Sequence, residues 1–445
     1  MIELKGKYSE AKIFIDEVDE TTYSQIVQIV NHPTFTNPVR VMPDTHAGAS
    51  NSVIGFTMKL AESIIPNTVG VDIGCGMISA KIHKSVEGFK FEEVDKKIRK
   101  VIPIGNTNGI HKSPIISFEK QFKFEKAKDI LWKFTKNFNN IYKTSFIPID
   151  YNYNWFQKLC NTIKVDIGYV EQSLGSLGGG NHFIEIGQSS TDSSVWLTVH
   201  TGSRNFGKKV ADYHTNIAKN LSSFDKKGFE KEFKKIKEQL KKQGKNSEIQ
   251  NLRTQLRDKY STQKTDVPVS MLYLKEQNMY DYFVDMIFAQ IYASTNRKII
   301  VENIVKILGL KVIESIESVH NYIDFEDFII RKGAIRAYKG EKMIIPFNMA
   351  DGILICEGKS NSDWNFSAPH GAGRGLSRTQ AKQKLSFDEY KKIMDERNIF
   401  TTSVHNSTLD EAPMAYKSAE IIEKAIEPTA KVLFRLKPLY NLKAN

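Results

Sequence analysis

The chain has no uninterrupted apolar run of the length a membrane-crossing helix requires, so a membrane-spanning protein is not expected. Its opening residues, Met1 to Lys7, lack the apolar core of a secretory signal, and a cytoplasmic location is the expectation. Cysteine is scarce. Cys75, Cys160 and Cys356 are too few and too scattered for a disulfide framework, which suits a reducing compartment where a thiolate can serve a metal. Neither an internal repeat nor a low-complexity linker is found, so one composite domain over 1–445 is expected rather than separable modules.

What is present is ample core material: 40% of the 445 residues are hydrophobic, enough to bury a large interior. The formal charge is +12 and the isoelectric point about 9.2. That basic excess is the electrostatic footprint of a polyanion partner, although it identifies no substrate.

The most informative stretch is Val69 to Met77, reading Val-Gly-Val-Asp-Ile-Gly-Cys-Gly-Met. Gly70, Gly74 and Gly76 interrupt any regular element, while Asp72 and Cys75 offer an oxygen and a sulfur three residues apart. A carboxylate beside a thiolate is a mixed hard and soft pair suited to Mn, Fe or Zn. Taken alone, the stretch reads more readily as a glycine-rich loop with one buried thiol, because a single Asp-x-x-Cys is a weak match. The histidines decide between these readings.

A glycine-rich loop, Leu174 to Gly180, runs into an alternating strand and exposes backbone N–H groups suited to phosphate oxygens, with Asn181, His182 and Glu185 at its edge. Trp196 to His200 reads as an apolar strand ending in His200, and Arg204 follows in a turn where it can meet a phosphate bidentately. His320 stands beside Asn321 after a short strand-like segment. Between Ser367 and Arg378, Pro369 and three glycines fix an irregular loop around His370, with Arg374 and Arg378 adding charge at helical spacing. Four histidines at loop-to-strand junctions together with Asp72 and Cys75 fit a transition metal, and a bridging thiolate would hold two ions close together. His370 is the candidate nucleophile, because the arginines beside it suit a phosphate better than another cation.

The remaining chain sets the fold class. Pro43 and Gly48 argue for a loop over Val41 to Gly48, and Asn51 to Leu60 reads as a strand. Phe118 to Tyr142 has a Lys/Phe helical pattern whose aromatics read as core rather than as base-stacking groups. Tyr151 to Phe156 reads as irregular, and a helix is expected from Gly207 to about Ser222. Residues 223–265 are rich in Lys, Glu and Gln and read as an inserted, solvated helical hairpin with Gly244 near its turn. Leu272 to Val305 reads as one or two apolar helices, with Asn296 and Arg297 near the middle. Strands are expected from Arg331 to Leu354, then Leu409 to Lys417, an amphipathic helix and a terminal strand. The expected fold is α+β: β-sheets flanked by helices in one composite domain.

Five motifs together, Met-Pro-Asp-Thr-His-Ala-Gly, Val-Gly-Val-Asp-Ile-Gly-Cys-Gly-Met, Gly-Gly-Gly-Asn-His-Phe-Ile-Glu-Ile, His-Thr-Gly-Ser-Arg and His-Gly-Ala-Gly-Arg-Gly-Leu-Ser-Arg, resemble those of the RtcB family of RNA-splicing ligases. The resemblance runs from Met42 to Lys443 and omits the 223–265 insertion. It implies that Cys75 bridges two Mn ions, with His200 and His320 completing one site and Asp72 and His182 the other. By the same resemblance His370 becomes guanylylated, Asn181, Glu185, Asn321, Arg374, Tyr416 and Lys443 surround GTP, and Arg204 lies near an RNA phosphate. The implied reaction joins an RNA 3′-phosphate or 2′,3′-cyclic phosphate to a 5′-hydroxyl through a histidine-GMP intermediate, in RNA repair or tRNA splicing. Where the family usually has Gly-Ser-Met-Gly and then Ser, this chain has Phe347-Asn348-Met349-Ala350 and then Ile353, positions expected near the nucleotide. The rival readings are a metal-dependent RNA phosphodiesterase or nuclease, and a non-catalytic RNA-binding protein.

Overall fold

The computed structural model describes residues 1–105, 109–112, 118–221, 226–242, 249, 252, 253, 256 and 267–444. It is an α+β fold built on two large sheets. The six-stranded sheet runs Ile2–Lys5, Glu10–Ile13, Val39–His46, Ile54–Lys59, Ile329–Lys332, Asn321–Ile323. The seven-stranded sheet runs Val312–Val319, Gly76–Ile82, Val195–Thr201, Phe183–Ser189, Ala430–Lys443, Ile353–Gly358, Lys342–Pro346, each neighbour antiparallel. That second sheet curls until its two end strands meet: the Ile344 amide donates to Ser318 Oγ at 3.0 Å.

Strand periodicity decides what each face of the curled sheet presents, because successive side chains point to opposite faces. Ile78, Ala80, Ile184, Ile186, Leu197, Val199, Tyr440 and Leu442 share one apolar cluster with Ile300, Val301 and Ile304 of the helix Glu276–Leu308. The alternate residues, among them Glu185, His200, Asn441 and Lys443, line a cavity on the other face. The strands are buried on both faces, so Val195–Thr201 reads as a nearly continuous apolar run.

The helix Glu276–Leu308 is a single element of 33 residues that ends at Gly309, which takes the left-handed conformation at φ 63°. It is buried around most of its circumference through Met279 to Ile304, which explains why no one-sided polar pattern marks it. Phe118, Phe122 and Phe156 pack against its Phe288 side, with Phe122 and Phe288 ring centres 4.5 Å apart and Phe118 stacked on Phe156 at 4.7 Å. These aromatics are core, as expected; each such ring contributes roughly 1.5–3 kcal/mol by burial.

Several local expectations are corrected. Val39–His46 is a strand, not a loop; the register slips between Val41 and His46, and that bulge spares Pro43 a ladder donor role. Tyr153–Thr162 is a helix capped by Asn152, whose side chain accepts from Trp155 N, so most of the stretch read as irregular is helical. The helix expected from Gly207 starts at Arg204. Only Arg378 opens a helix, Arg378–Lys384, while Arg374 forms an isolated bridge with Tyr416, so the two arginines are not paired by helical spacing. Leu409 to Lys417 folds as two short 3₁₀ turns, Asn406–Glu411 and Pro413–Ala415. Of the hairpin expected over 223–265 the helix Lys226–Lys242 is described; Gly244 and most of the second arm lie outside the described residues. Among the described residues no helix is long and apolar enough to cross a membrane.

Candidate active site

Three loops, each at a strand end, converge on the cavity. The first follows Thr68 and carries Asp72 and Cys75 into the strand Gly76–Ile82. Gly74 takes φ 72°, and a Cβ there would sit 2.8 Å from the Gln290 Cα, so only glycine lets this loop lie against the long helix. The second loop delivers His182 at the start of Phe183–Ser189; His200 sits near the end of Val195–Thr201, and His320 between Val312–Val319 and Asn321–Ile323.

Two consecutive residues of the long helix tie these loops together. Asn296 Oδ1 accepts from the Gly175 and Ser176 amides (2.7 and 3.1 Å), and its Nδ2 donates to the Ser176 and Gly202 carbonyls (both 3.1 Å). Arg297 Nη1 donates to the Gly74 and Thr201 carbonyls at 2.7 and 3.0 Å, while Nη2 pairs with Glu317 at 2.8 Å. Both side chains are fully buried, so the polar groups of the loops are satisfied inside the protein.

The result is two overlapping donor clusters, Cys75, His200, His320 and Asp72, Cys75, His182, with the ligand atoms of each within 4.8 Å of one another. Cys75 Sγ is shared, 3.3 Å from His200 Nε2 and 3.6 Å from His182 Nε2. The outward nitrogens are anchored: His182 Nδ1 donates to the Leu177 carbonyl at 3.0 Å and His200 Nδ1 to the Asn181 carbonyl at 3.2 Å. A ring anchored at Nδ1 turns its Nε2 toward the cluster, and the deprotonated Nε2 is the form that binds a metal; His182 Nε2 lies 3.0 Å from Asp72 Oδ2, so a cation bound there would displace the proton of that hydrogen bond. His320 Nδ1 has no partner among the described residues; its backbone amide holds the Cys75 carbonyl at 2.9 Å.

Electrostatics agree with a cation site. Burial, then the charge of Asp72, pushes the Cys75 thiol well above its ordinary range. Burial, then neighbouring imidazoles and cations, pushes His200 and His320 well below theirs, leaving neutral donors. Burial alone would raise Asp72, but the His182 hydrogen bond and charge outweigh it and hold the carboxylate at about 2. A divalent ion reverses the penalty on the thiolate, and the mixed S, N, O donor set fits Mn, Fe or Zn.

His370 follows the short strand Ser367–Pro369 and enters the same cavity. Its Nδ1 lies 2.6 Å from Asp44 Oδ2, and its ring centre is 4.8 Å from that of His320. Asp44 is completely buried and was missed as a functional residue because its strand was read as a loop. His46 also borders the cavity, with burial holding its imidazole down at about 4 and therefore neutral.

The far wall carries the residues expected around a nucleotide: Asn181, Glu185, Asn321, Arg374, Tyr416 and Lys443 all line the cavity of about 290 Å³. Phe347, Asn348, Met349 and Ile353, the positions of the changed loop, line it too. Asn321 also acts as a staple, its amide donating to the Asp72 carbonyl at 3.3 Å and its Oδ1 accepting from Gly333 at 3.0 Å. Glu411, which sequence reasoning passed over, is the hub of this wall. It accepts from Tyr416 Oη at 2.6 Å and Lys443 Nζ at 2.8 Å, and pairs with Arg378 at 2.7 Å and Arg374 at 3.5 Å. Burial opposes its ionisation, but the Lys443 and Arg378 charges win and hold it at about 2.

Arg204 is set apart. It stands at φ 57° beneath the glycine-rich loop, with Nε donating to Ser176 Oγ at 3.0 Å and Nη2 to the Gly105 carbonyl at 3.2 Å, and it is not among the described cavity-lining residues. At Gly178 (φ 91°) a Cβ would meet its guanidinium at 1.8 Å, so the loop rests directly on it. Its place is under the loop that carries His182.

The model of the family described as tRNA-splicing ligase RtcB matches residues 25–444. The RNA-splicing ligase RtcB of Escherichia coli strain K12 is 27% identical, over 96% of this chain and 95% of the relative. The tRNA-splicing ligases RtcB of Pyrobaculum aerophilum and Aeropyrum pernix are 26% and 23% identical, over 97% and 90% of this chain and 93% and 86% of their own lengths. A match across nearly the whole chain, on top of a converged Asp, Cys and His cluster, leaves one conclusion: the chain belongs to the tRNA-splicing ligase RtcB family.

Proposed function

We propose that this chain joins RNA ends, linking a 3′-phosphate or 2′,3′-cyclic phosphate to a 5′-hydroxyl with GTP and two Mn ions, in RNA repair or tRNA splicing. The observation that carries the reading is His370, tethered at Nδ1 by a buried carboxylate in the cavity that also holds the shared Cys75 cluster. Asp72, Cys75 and His182 would hold one ion, and Cys75, His200 and His320 the other. When bound, such ions neutralise phosphoryl oxygens and polarise phosphorus.

With Nδ1–H committed to Asp44, His370 Nε2 has its lone pair free to attack the α-phosphorus of GTP. A P–N bond forms and pyrophosphate leaves; the adjacent carboxylate stabilises the charge that builds on the imidazole. GMP then passes to the RNA 3′-phosphate oxygen, a cyclic phosphate having first been opened by water. The 5′-hydroxyl attacks that activated phosphate, loses its proton, and GMP departs. Arg374, Arg378 and Lys443, gathered by Glu411, offer the cavity's fixed positive charge to the phosphates.

We further propose that 223–265 is a helical hairpin inserted into one 1–445 ligase domain; the Arg253 guanidinium lying 6.0 Å from the Phe233 ring centre supports a returning arm.

The test is incubation with Mn and GTP labelled at the α-phosphate, followed by denaturing electrophoresis. A covalent label that RNA 3′-phosphate discharges, and that His370→Ala abolishes, is expected. Absence of label, or a label that survives His370→Ala, overturns the reading.

A further inference from the structure

Glu185 and Asn441 face each other directly across the antiparallel pair formed by Phe183–Ser189 and Ala430–Lys443. Both line the cavity, at 2% and 1% exposure. Asn441 Nδ2 donates to Glu185 Oε2 at 2.9 Å. This bond fixes the amide, because turning it over would set its oxygen against a carboxylate oxygen. Two acceptors are left, Glu185 Oε1 and Asn441 Oδ1, both buried and neither taking a hydrogen bond from any of the described residues. Buried acceptors are satisfied in folded proteins as a rule, and two neighbouring exceptions in a cavity wall match a ligand edge that carries two adjacent donors.

We propose that Asn441 reads the nucleobase: Glu185 Oε1 accepts the ring N1–H and Asn441 Oδ1 accepts the exocyclic 2-amino group of a guanine. The inference deepens the reading of GTP as co-substrate and rests on it. Adenine turns a ring acceptor toward Glu185 and is excluded by the ionised carboxylate, where acceptor faces acceptor. Hypoxanthine keeps the N1–H but has no 2-amino group, so Asn441 Oδ1 stays unpaired. A site built to take a hydrogen bond discriminates strongly against an analogue that lacks the donor.

GMP, IMP and AMP binding to the full chain, measured by calorimetry, tests this without depending on turnover. Wild type is expected to bind GMP at least about tenfold more tightly than IMP, with AMP weaker still. Asn441→Leu, which keeps the shape and removes the acceptor, is expected to bring the GMP to IMP ratio to within about twofold, chiefly by weakening GMP, and the smaller Asn441→Ala to do the same. The ratio within each protein cancels general damage to the fold. Equal GMP and IMP affinities in wild type, or an unchanged ratio in both variants, overturns the proposal. The label assay separates the two readings. Label with an unmoved ratio sinks Asn441 alone; a collapsed ratio without label leaves Asn441 standing and sinks the ligase reading; no binding of any of the three sinks both.

Discussion

Asp44 Oδ2 lies 2.6 Å from Nδ1 of His370, a residue 326 positions away, and the same oxygen accepts the backbone amides of His370 and Gly371 at 3.1 and 3.2 Å. One carboxylate oxygen therefore orients both the ring and the turn that carries it. A bound carboxylate at Nδ1 keeps the proton there and leaves Nε2 as the open nitrogen, which a nucleophile requires.

Asp44→Asn tests that arrangement. The amide oxygen can still accept the two backbone amides, but the pull that fixes the imidazole tautomer and supports its developing charge is lost. The initial rate of covalent labelling by GTP is expected to fall roughly 10²–10⁴-fold with little change in the circular dichroism spectrum. A drop smaller than tenfold would show that Asp44 only buttresses the turn.

Cys75 belongs to both donor clusters, whereas His182 and His320 belong to one each. Cys75→Ser is therefore expected to weaken uptake of both ions, and His320→Ala uptake of one. Titration with Co, followed by the sulfur-to-metal absorption band and by stoichiometry at saturation, reads the difference. Because burial favours the protonated Cys75 thiol in metal-free protein, metal uptake at neutral pH should also release a proton that Cys75→Ser does not release. Retention of two tight ions in Cys75→Ser would contradict the shared ligand.

The chemistry of this site was more legible in the sequence than its geometry. His182, His200 and Cys75 stood out because glycines or strand ends flank them, and short motifs keep that information local. Glu411 and Asp44 did not, since their roles depend on partners far along the chain: Lys443 for the first, His370 for the second. Asp44 was further masked by Pro43, which reads as a loop signal until the register slip near it is known. The α+β class was readable from strand alternation, but the curl that closes the seven-stranded sheet through Ile344 and Ser318 has no signature in spacing. The support that Arg204 gives the glycine-rich loop through Ser176 and Gly105 has no signature in the sequence either.

Arg297 is a fully buried cation whose donors are spent on the Gly74 and Thr201 carbonyls and on Glu317. Arg297→Met would leave those carbonyls unpaired and Glu317 without its main partner, a change expected to cost about 3–5 kcal/mol of stability in thermal or urea unfolding. If the loops it ties are what hold the ligands in register, metal affinity falls roughly 10–100-fold as well, at temperatures where the variant remains folded. A destabilised variant with unchanged affinity would confine Arg297 to a structural role.

Glu185 supplies the pH test. Burial raises its carboxyl to about 8, with the Asn441 hydrogen bond and the Lys443 charge pulling the other way. Below that pH the empty site holds a protonated acid, yet a donor edge of a base is accepted only by the carboxylate. Nucleotide binding must then expel a proton, and the apparent affinity for GMP should rise as pH increases through about 8 and level off above it, up to tenfold per pH unit on the rising limb. Glu185→Gln, which does not titrate, should bind GMP weakly with no such slope. Calorimetry between pH 6 and pH 9 in two buffers of different ionisation enthalpy counts the proton directly. A flat profile in wild type, or an identical slope in Glu185→Gln, would place the titrating group elsewhere and remove Glu185 from the contact with the base.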